Sequence, residues 1–229
     1  MEVRGLLFDM DGVLYDDTLW HRWLFQLLSR MGLHAQFRAF FRVWEREYLD
    51  AVNRGQRDYW EALRSFLMSS GLTSCQAEEV LVASHARKDR ILERIRPLPG
   101  VAKTTAKLNS IGVPLAVLSN SACSSDQIQK LLQRLGLSDR FYRVVSSYDL
   151  GVTKPDQASY QAALAAMQMD AREVAFVGHD AKELIGAKQV GMPTIAVNHE
   201  PNAMADVNLD NFDQLLSVIR YRSMHSLAG

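Results

Sequence analysis

The stretch FDMDGVL, residues 8–14, places Asp9 and Asp11 one residue apart directly after an apolar run. The apolar residues from Val3 to Phe8 predict a buried β-strand, and a glycine at position 12 allows the chain to turn tightly behind it. Two carboxylates this close ionise together only with difficulty unless a cation lies between them. The stretch therefore predicts either a strand end that holds Mg²⁺ for carboxylate chemistry or a turn that the two acids merely cap.

The rest of the chain alternates between two patterns. Apolar residues recur at spacings of three and four through residues 16–96, which predicts helices. Pro97 and the pair Pro99-Gly100 then mark a boundary. Beyond it, strands predicted at residues 113–118, 141–145, 174–177 and 194–197 alternate with helices, the last of these being the last clear strand. This alternation predicts an α/β fold with a parallel sheet, in which residues 1–15 and 97–229 form one domain and residues 16–96 form an all-helical insertion.

Composition excludes several classes of protein. The 229 residues carry 26 Lys and Arg against 26 Asp and Glu, so no basic excess indicates a nucleic-acid partner. Cys75 and Cys123 lie far apart and form no disulfide or metal pattern, which favours reduced thiols. No leader and no apolar stretch long enough for a bilayer is apparent. We therefore expect a cytoplasmic protein with no membrane or nucleic-acid partner, as a monomer or a homodimer.

Polar side chains collect after the predicted strands. They are Asp9 and Asp11, Ser119 and Asn120, and residues 178–180; Lys154 is added to them and precedes the predicted helix that contains Tyr160. Open parallel sheets bind ligands beyond the carboxyl ends of their strands, so these groups are expected to meet in one crevice. Taken one at a time, Ser119 and Asp180 also fit helix N-caps, and Lys154 also fits a surface lysine.

Together these motifs resemble those of the haloacid dehalogenase (HAD) superfamily, in its phosphatase- and phosphoglucomutase-like branch with a helical cap inserted after the first strand. The matching segments are residues 9–14, Ser119-Asn120, residues 154–156 with Tyr160, and residues 177–191 with Gly186-Ala187. They span nearly the whole chain in the family's order. The resemblance implies a Rossmann-like core with helices on both faces, a Mg²⁺ cofactor and hydrolysis of a small phosphorylated metabolite.

The resemblance also implies a role for each residue. Asp9 is expected to attack phosphorus and form an aspartyl-phosphate, and Asp11 to act as the general acid and base. Lys154 would supply positive charge to Asp9 and the phosphoryl group. Further contacts to the phosphate or substrate are expected from Ser119, Asn120, Gly12 and, in the cap, Arg54.

The metal site departs from the family's pattern. Its expected oxygen ligands are the Asp9 side chain, the Asp11 carbonyl and an acid of the fourth motif. At that motif His179 replaces the usual first acid and Glu183 the second, and imidazole is a poor ligand for Mg²⁺. We predict Asp180 as the ligand. The alternatives are that Glu183 reaches the metal directly or through water, or that His179 recruits a softer cation.

The helical insertion is expected to choose the substrate. Residues 53–59 resemble the family's cap specificity loop, where Arg54 or Arg57 would contact an anion or simply be solvated. His21, near a hinge predicted at residues 16–18, is equally ambiguous. The sequence thus predicts a Mg²⁺-dependent phosphatase. Its alternatives are a β-phosphoglucomutase-like phosphomutase, a 2-haloacid dehalogenase, and a binding or regulatory module whose fourth motif has decayed.

Overall fold

The computed structural model describes residues 1–199 and 202–221, and a parallel sheet lies at its centre. The strands are β1 (Glu2–Val3), β2 (Gly5–Phe8), β3 (Leu115–Ser119), β4 (Arg143–Ser146), β5 (Val174–Gly178), β6 (Thr194–Val197), β7 (Val207–Leu209) and β8 (Arg220–Tyr221). Six of them pair in the order β4-β3-β2-β5-β6-β7, every pair being parallel, while β1 pairs with β8. The strand that enters this six-stranded sheet first along the chain, β2, therefore lies in its middle.

Helices follow the strands and cover both faces of this sheet. They are α6 (Val101–Ser110), α7 (Ser125–Arg134), α8 (Ser147–Leu150), α9 (Gln157–Met167), α10 (Ala181–Val190) and α11 (Leu215–Val218). Alternate residues of β2 serve the two faces, since Leu6 and Phe8 pack into one apolar cluster and Leu7 into the other. The predicted α/β class with helices on both faces is confirmed.

All the named elements within residues 16–96 are helices. These are α1 (Thr18–Arg30), α2 (Phe37–Val43), a π-helix (Trp44–Leu49), α3 (Asp50–Asn53), α4 (Tyr59–Ser69) and α5 (Ser74–Leu92). They enclose an apolar cluster of their own around Trp44, Leu63 and Phe66. The aromatic residues at helical spacing are thus packing residues. That residues 16–96 form a separate domain stays a prediction.

This helical region rests on the carboxyl ends of the strands. Ser147 donates a hydrogen bond to the Asn53 carbonyl at 2.7 Å, and Thr153 donates one to Asp50 Oδ1 at 2.9 Å. At the start and end of the region, Tyr15 and Pro97 pair in an isolated bridge. The helices therefore face the edge of the sheet where the polar motifs were predicted to meet.

Two details of the sheet differ from expectation. The prediction that residues 194–197 form the last clear strand was incomplete, because β7 pairs beyond it and extends the sheet. β7 has three residues, of which only Leu209 is fully buried, so it lacks the apolar run that marks the other strands. The fourth strand begins at Arg143, two residues later than predicted. Among the residues described, none of the helices combines the length and apolar character needed to span a bilayer.

Candidate active site

Asp9 lies directly after the central strand and is buried, with 5% of its surface exposed. Its amide donates to the Val177 carbonyl at 2.9 Å, which fixes the residue between β2 and β5. Its Oδ1 accepts hydrogen bonds from the Met10 amide at 2.8 Å and from Lys154 Nζ at 2.5 Å. The carboxylate is therefore held in one orientation by main chain and by a cation.

Lys154 is a buried cation shared by two carboxylates. Its Nζ contacts Asp9 Oδ1 and, at 2.8 Å, Glu183 Oε2. Asn120 holds the lysine backbone in both directions, accepting from the Lys154 amide at 2.8 Å and donating to its carbonyl at 3.0 Å. The same Asn120 amide donates to Glu183 Oε1 at 3.1 Å. The reading of Lys154 as a surface lysine is therefore wrong.

Burial and charge act in opposite directions on this pair. Burial alone would lower the pKa of Lys154, but the Asp9 and Glu183 carboxylates raise it above its ordinary value. Burial raises the pKa of Glu183 to about 8, against the opposing effect of the Lys154 ammonium. Because both Glu183 oxygens are already hydrogen-bonded, this residue serves Lys154 and Asn120 and is a poor candidate for a metal ligand.

Asp11 has surroundings that favour its protonated form. Burial raises its pKa to about 7, and the nearby Asp17 carboxylate adds to the rise. The Tyr15 hydroxyl donates a hydrogen bond to Asp11 Oδ1 and opposes it. A carboxyl that titrates near neutral pH two residues from Asp9 is suited to give and take a proton.

Gly12 is required by the backbone beside this pair. Its φ is +68°, and a Cβ there would lie 3.1 Å from Nε2 and Cε1 of His179. The same imidazole approaches Asp9, with Nε2 at 3.6 Å from Oδ2. Of the two neighbouring residues His179 and Asp180, it is therefore His179 that contacts Asp9. A contact between Gly12 and substrate stays a prediction.

Ser119 ends β3 and is buried. The helix that follows is capped instead by Ser124, whose hydroxyl accepts from the Gln127 amide. The alternative that Ser119 is a helix N-cap is wrong, because the cap position is Ser124, five positions further along the chain. Its predicted contact with a phosphoryl group is untested.

Asp180 is the N-cap of α10, as one alternative expected. Its Oδ1 accepts from the Lys182 amide at 2.8 Å and the Glu183 amide at 2.9 Å. Oδ2 makes neither of these cap bonds and is an oxygen donor of the kind that Mg²⁺ prefers. Within the described part of the chain, no three His, Cys, Asp or Glu side chains gather as a metal-binding group.

That absence is compatible with magnesium, which usually binds through one or two carboxylates and keeps several waters. Asp9 and Asp180 supply hard carboxylate oxygens, and the Asp11 carbonyl would add a third oxygen donor. This donor chemistry fits Mg²⁺. A magnesium ion held by Asp9 would have to bind beside His179, which contacts the same carboxylate.

The polar residues predicted to contact substrate from the helical region are engaged locally. Arg54 Nε pairs with Asp50 Oδ2 at 3.0 Å. Arg57, just before α4, donates a hydrogen bond to the hydroxyl of Ser65 on that helix. His21 packs on Phe41, with ring centres 4.4 Å apart, and burial lowers its pKa to about 4. His21 is therefore a neutral packing residue at ordinary pH.

A cleft of about 860 Å³ opens between the helical region and the strand ends. Lys154, Asp180 and Glu183 line it from the sheet side, and Arg42 and Arg46 line it from the helical side. Sequence reasoning missed these two arginines. Their spacing of four residues was a usable signal, but nothing in the sequence indicated which side of the helix faces the sheet.

The chain matches the model of the haloacid dehalogenase-like hydrolases over residues 3–191. The matched residues include the parallel sheet, the helical region over its strand ends, and the buried pair of Asp9 and Lys154 at the central strand. The protein belongs to the haloacid dehalogenase-like hydrolase family.

Individual relatives divide between two activities. A phosphoglycolate phosphatase of Yersinia pestis is 27% identical over 230 residues, covering 97% of this chain and 95% of its own. An (S)-2-haloacid dehalogenase 4A of Burkholderia cepacia is also 27% identical, over 208 residues, covering 87% and 85%. A crystal structure of a dehalogenase matches with a TM-score of 0.72 and 24% identity, covering 96% and 98%. Similarity alone therefore does not choose between them.

Proposed function

We propose that this protein is a phosphatase that hydrolyses a small phosphate monoester through an aspartyl-phosphate on Asp9. The observation that carries the proposal is the position of Asp11, a second carboxyl two residues after Asp9 that accepts a hydrogen bond from the Tyr15 hydroxyl. Burial raises its pKa to about 7, which suits it to the same role. Protonating an alkoxide leaving group needs such an acid, whereas displacement of halide from carbon does not. Relatives named as phosphoglycolate phosphatases agree with this choice, but a relative named as a haloacid dehalogenase is equally similar, so the choice rests on Asp11.

The first step forms one bond and breaks another. An Asp9 oxygen attacks phosphorus in line with the leaving oxygen, the P–O bond to the leaving group breaks, and its electron pair takes a proton from Asp11. Lys154 orients Asp9 and offsets the charge that gathers around it. The product alcohol leaves, and the phosphoryl group stays on the Asp9 carboxylate.

The second step restores the enzyme. Asp11, now ionised, takes a proton from water as the water oxygen attacks phosphorus, and the bond between Asp9 and phosphorus breaks. Inorganic phosphate leaves. The helical region acts in this proposal as a cap that excludes other water from the cleft.

We further propose Mg²⁺ as the cofactor, held by the Asp9 and Asp180 carboxylates and the Asp11 carbonyl. When bound, it would neutralise part of the phosphoryl group's negative charge. The family resemblance and the oxygen donors support this proposal.

The test is phosphate release from p-nitrophenyl phosphate and a panel of phosphorylated metabolites, with Mg²⁺ or with EDTA. Wild-type protein should release phosphate, Asp9→Asn should not, and Asp126→Asn, an exposed aspartate on α7, should behave as wild type. Turnover that survives Asp9→Asn refutes the mechanism. Isomerised product without free phosphate would instead identify a phosphomutase.

A 2-haloacid dehalogenase is the second candidate, because the Burkholderia cepacia relative is as similar as the phosphatase and His179 contacts Asp9. Both activities would use Asp9 as the nucleophile. Halide release from 2-chloropropionate in EDTA, with no phosphate release from any ester, would select the dehalogenase.

A further inference from the structure

We propose that Tyr15 is a positioning residue for Asp11, because its hydroxyl holds Oδ1 of that carboxyl and so leaves the transferable proton on Oδ2. This inference rests on the proposed phosphatase function and adds a residue to its acid–base step. Tyr15 acts through the hydrogen bond that its hydroxyl donates to Asp11 Oδ1, and not through a contact of its own with the substrate.

The two carboxyls at the end of the central strand are held very differently. Asp9 Oδ1 accepts hydrogen bonds from the Met10 amide and from the Lys154 ammonium. Within the part of the chain that the structure describes, the Asp11 carboxyl accepts one hydrogen bond, from Tyr15, and its Oδ2 accepts none. The orientation of the acid therefore depends on this tyrosine, whereas the orientation of the nucleophile does not.

The main chain fixes Tyr15 beside Asp11. A turn separates the two residues, and it includes Gly12 with a φ of +68°. The Gly12 amide donates to the Tyr15 carbonyl at 3.0 Å, and Asp11 and Tyr15 pair in an isolated bridge. Tyr15 pairs in a second bridge with Pro97, where the chain returns from the helical region. The position of the tyrosine is thus a property of the fold and does not depend on a ligand.

The ring and the hydroxyl of Tyr15 have separate roles. The ring packs against the larger apolar cluster of the sheet, which includes Phe8 and Val13. A phenylalanine ring could pack in the same place, so packing does not explain the hydroxyl. Among residues 1–199 and 202–221, the Asp11 carboxyl is the one acceptor that this hydroxyl has. The hydrogen bond to Asp11 is therefore what the tyrosine adds to this position.

The direction of this hydrogen bond decides which oxygen of Asp11 carries the proton. A protonated carboxyl accepts best through its carbonyl oxygen and donates through its hydroxyl. Because Oδ1 accepts from Tyr15, Oδ1 is the carbonyl oxygen and the proton lies on Oδ2. A proton on Oδ1 would instead point at the tyrosine and would not reach a leaving group.

The same hydrogen bond favours the transfer itself. In the first step the proton on Asp11 Oδ2 passes to the leaving oxygen as the P–O bond breaks, and the carboxyl becomes a carboxylate. A hydrogen bond to a charged acceptor is stronger than one to a neutral acceptor, so the contact with Tyr15 strengthens as this charge appears. An interaction that strengthens toward the transition state lowers the barrier. In the second step Oδ2 takes a proton from water, and Tyr15 keeps its own proton throughout.

The experiment compares esters that differ in whether the leaving oxygen needs a proton. Phosphoglycolate and ethyl phosphate release an alkoxide, which must be protonated, whereas 2,4-dinitrophenyl phosphate releases a phenolate that is stable without a proton. In Tyr15→Phe, kcat/KM for the two alkyl esters should fall about 10- to 100-fold, the loss expected for a hydrogen bond to a charged group. For 2,4-dinitrophenyl phosphate, kcat/KM should change less than about threefold, because it reports the first step, in which this leaving group needs no acid.

The control is Tyr142→Phe, which also removes a hydroxyl that donates a hydrogen bond, here to the Met167 carbonyl at 3.2 Å. Tyr142 directly precedes β4 and so lies at the amino ends of the strands, away from Asp11. It should behave as wild type on all three esters. The inference is overturned if Tyr15→Phe lowers kcat/KM equally for all three, if it leaves the alkyl esters unaffected, or if the control shows the same selective loss.

Crystal structures of the wild-type protein and of Tyr15→Phe separate this inference from the proposed function. The Asp11 carboxyl should take one orientation in the wild type and turn away from it in the variant. That result supports the positioning role even if wild-type protein releases no phosphate from the alkyl esters. An Asp11 carboxyl that keeps the same orientation in both structures overturns the inference, whatever the activity.

Discussion

Replacing Lys154 with methionine removes a buried cation that two carboxylates share. Its Nζ lies 2.5 Å from Asp9 and 2.8 Å from Glu183, and the three side chains are 0%, 7% and 13% exposed. Methionine fills similar volume but leaves Asp9 without its cation and Glu183 without the hydrogen bond from Nζ. Removing one partner of a buried ion pair costs about 3–5 kcal/mol of the free energy of unfolding, and we expect a loss in that range.

The pH dependence of this loss tests its cause. Burial raises the pKa of Glu183 to about 8 in the native protein. A group whose pKa is raised by folding lowers the free energy of unfolding as the pH rises from its unfolded pKa to its folded pKa. Lys154 opposes the rise, so its removal raises the Glu183 pKa further. The variant therefore keeps losing stability above pH 8, by roughly 1.4 kcal/mol for each further pH unit. Lys154 itself stays charged there, because its pKa is raised.

The measurement is urea unfolding followed by circular dichroism in EDTA, at about pH 7 and about pH 9.5. Lys103→Met on α6, an exposed lysine, is the matched control and should change stability by less than about 0.5 kcal/mol. A loss below about 1 kcal/mol for Lys154→Met would refute the account. So would a penalty that shrinks between the lower and the higher pH.

Three further predictions concern the residues around Asp9. Since burial raises the pKa of Asp11 to about 7, its proton-donating form is lost above that pH. We therefore expect kcat/KM to fall about tenfold for each pH unit above 7. A profile that is flat to about pH 9, or one that Asp11→Asn leaves unchanged, contradicts this role. Gly12→Ala should cost about 1–2 kcal/mol in urea unfolding, and more than Gly32→Ala, because both have positive φ but only the first meets the His179 ring. Asp180→Ala should raise the Mg²⁺ concentration needed for half-maximal activity more than His179→Ala does, and the reverse order would make the histidine the functional residue.

The sequence was sufficient for the fold class and for the expectation that Asp9 and Lys154 lie close together. Apolar runs such as Val174–Gly178 are typical of strands buried on both faces of a parallel sheet, and parallel strands bring their carboxyl ends to one edge. Asp9 and Lys154 could therefore be expected to meet although 145 positions separate them. The strand Val207–Leu209 escaped prediction because its stability comes from pairing with β6 and only weakly from its own apolar residues.

The sequence did not show which of the neighbouring polar residues are already hydrogen-bonded within the protein and which are available to a metal. Asp180 and Glu183 both looked available to a metal, yet Asp180 caps α10 with one oxygen and Glu183 is bonded through both. His179, one residue earlier, turns toward Asp9. A one-residue step at the end of a strand reverses the direction of a side chain, and no pattern in the sequence fixes where the strand gives way to the helix.

The sequence by itself determined a parallel α/β sheet, an inserted helical region and the pair Asp9 and Asp11 at the central strand, because periodicity and strand-end position are local properties of the chain. Only the tertiary structure decided the environment of that pair: the Lys154 cation shared with Glu183, the burial that brings the Asp11 pKa to about 7, and the face of the helical region that holds Arg42 and Arg46 over the cleft. Burial and charge compensation depend on groups that are distant in sequence, so they exist only once the chain has folded.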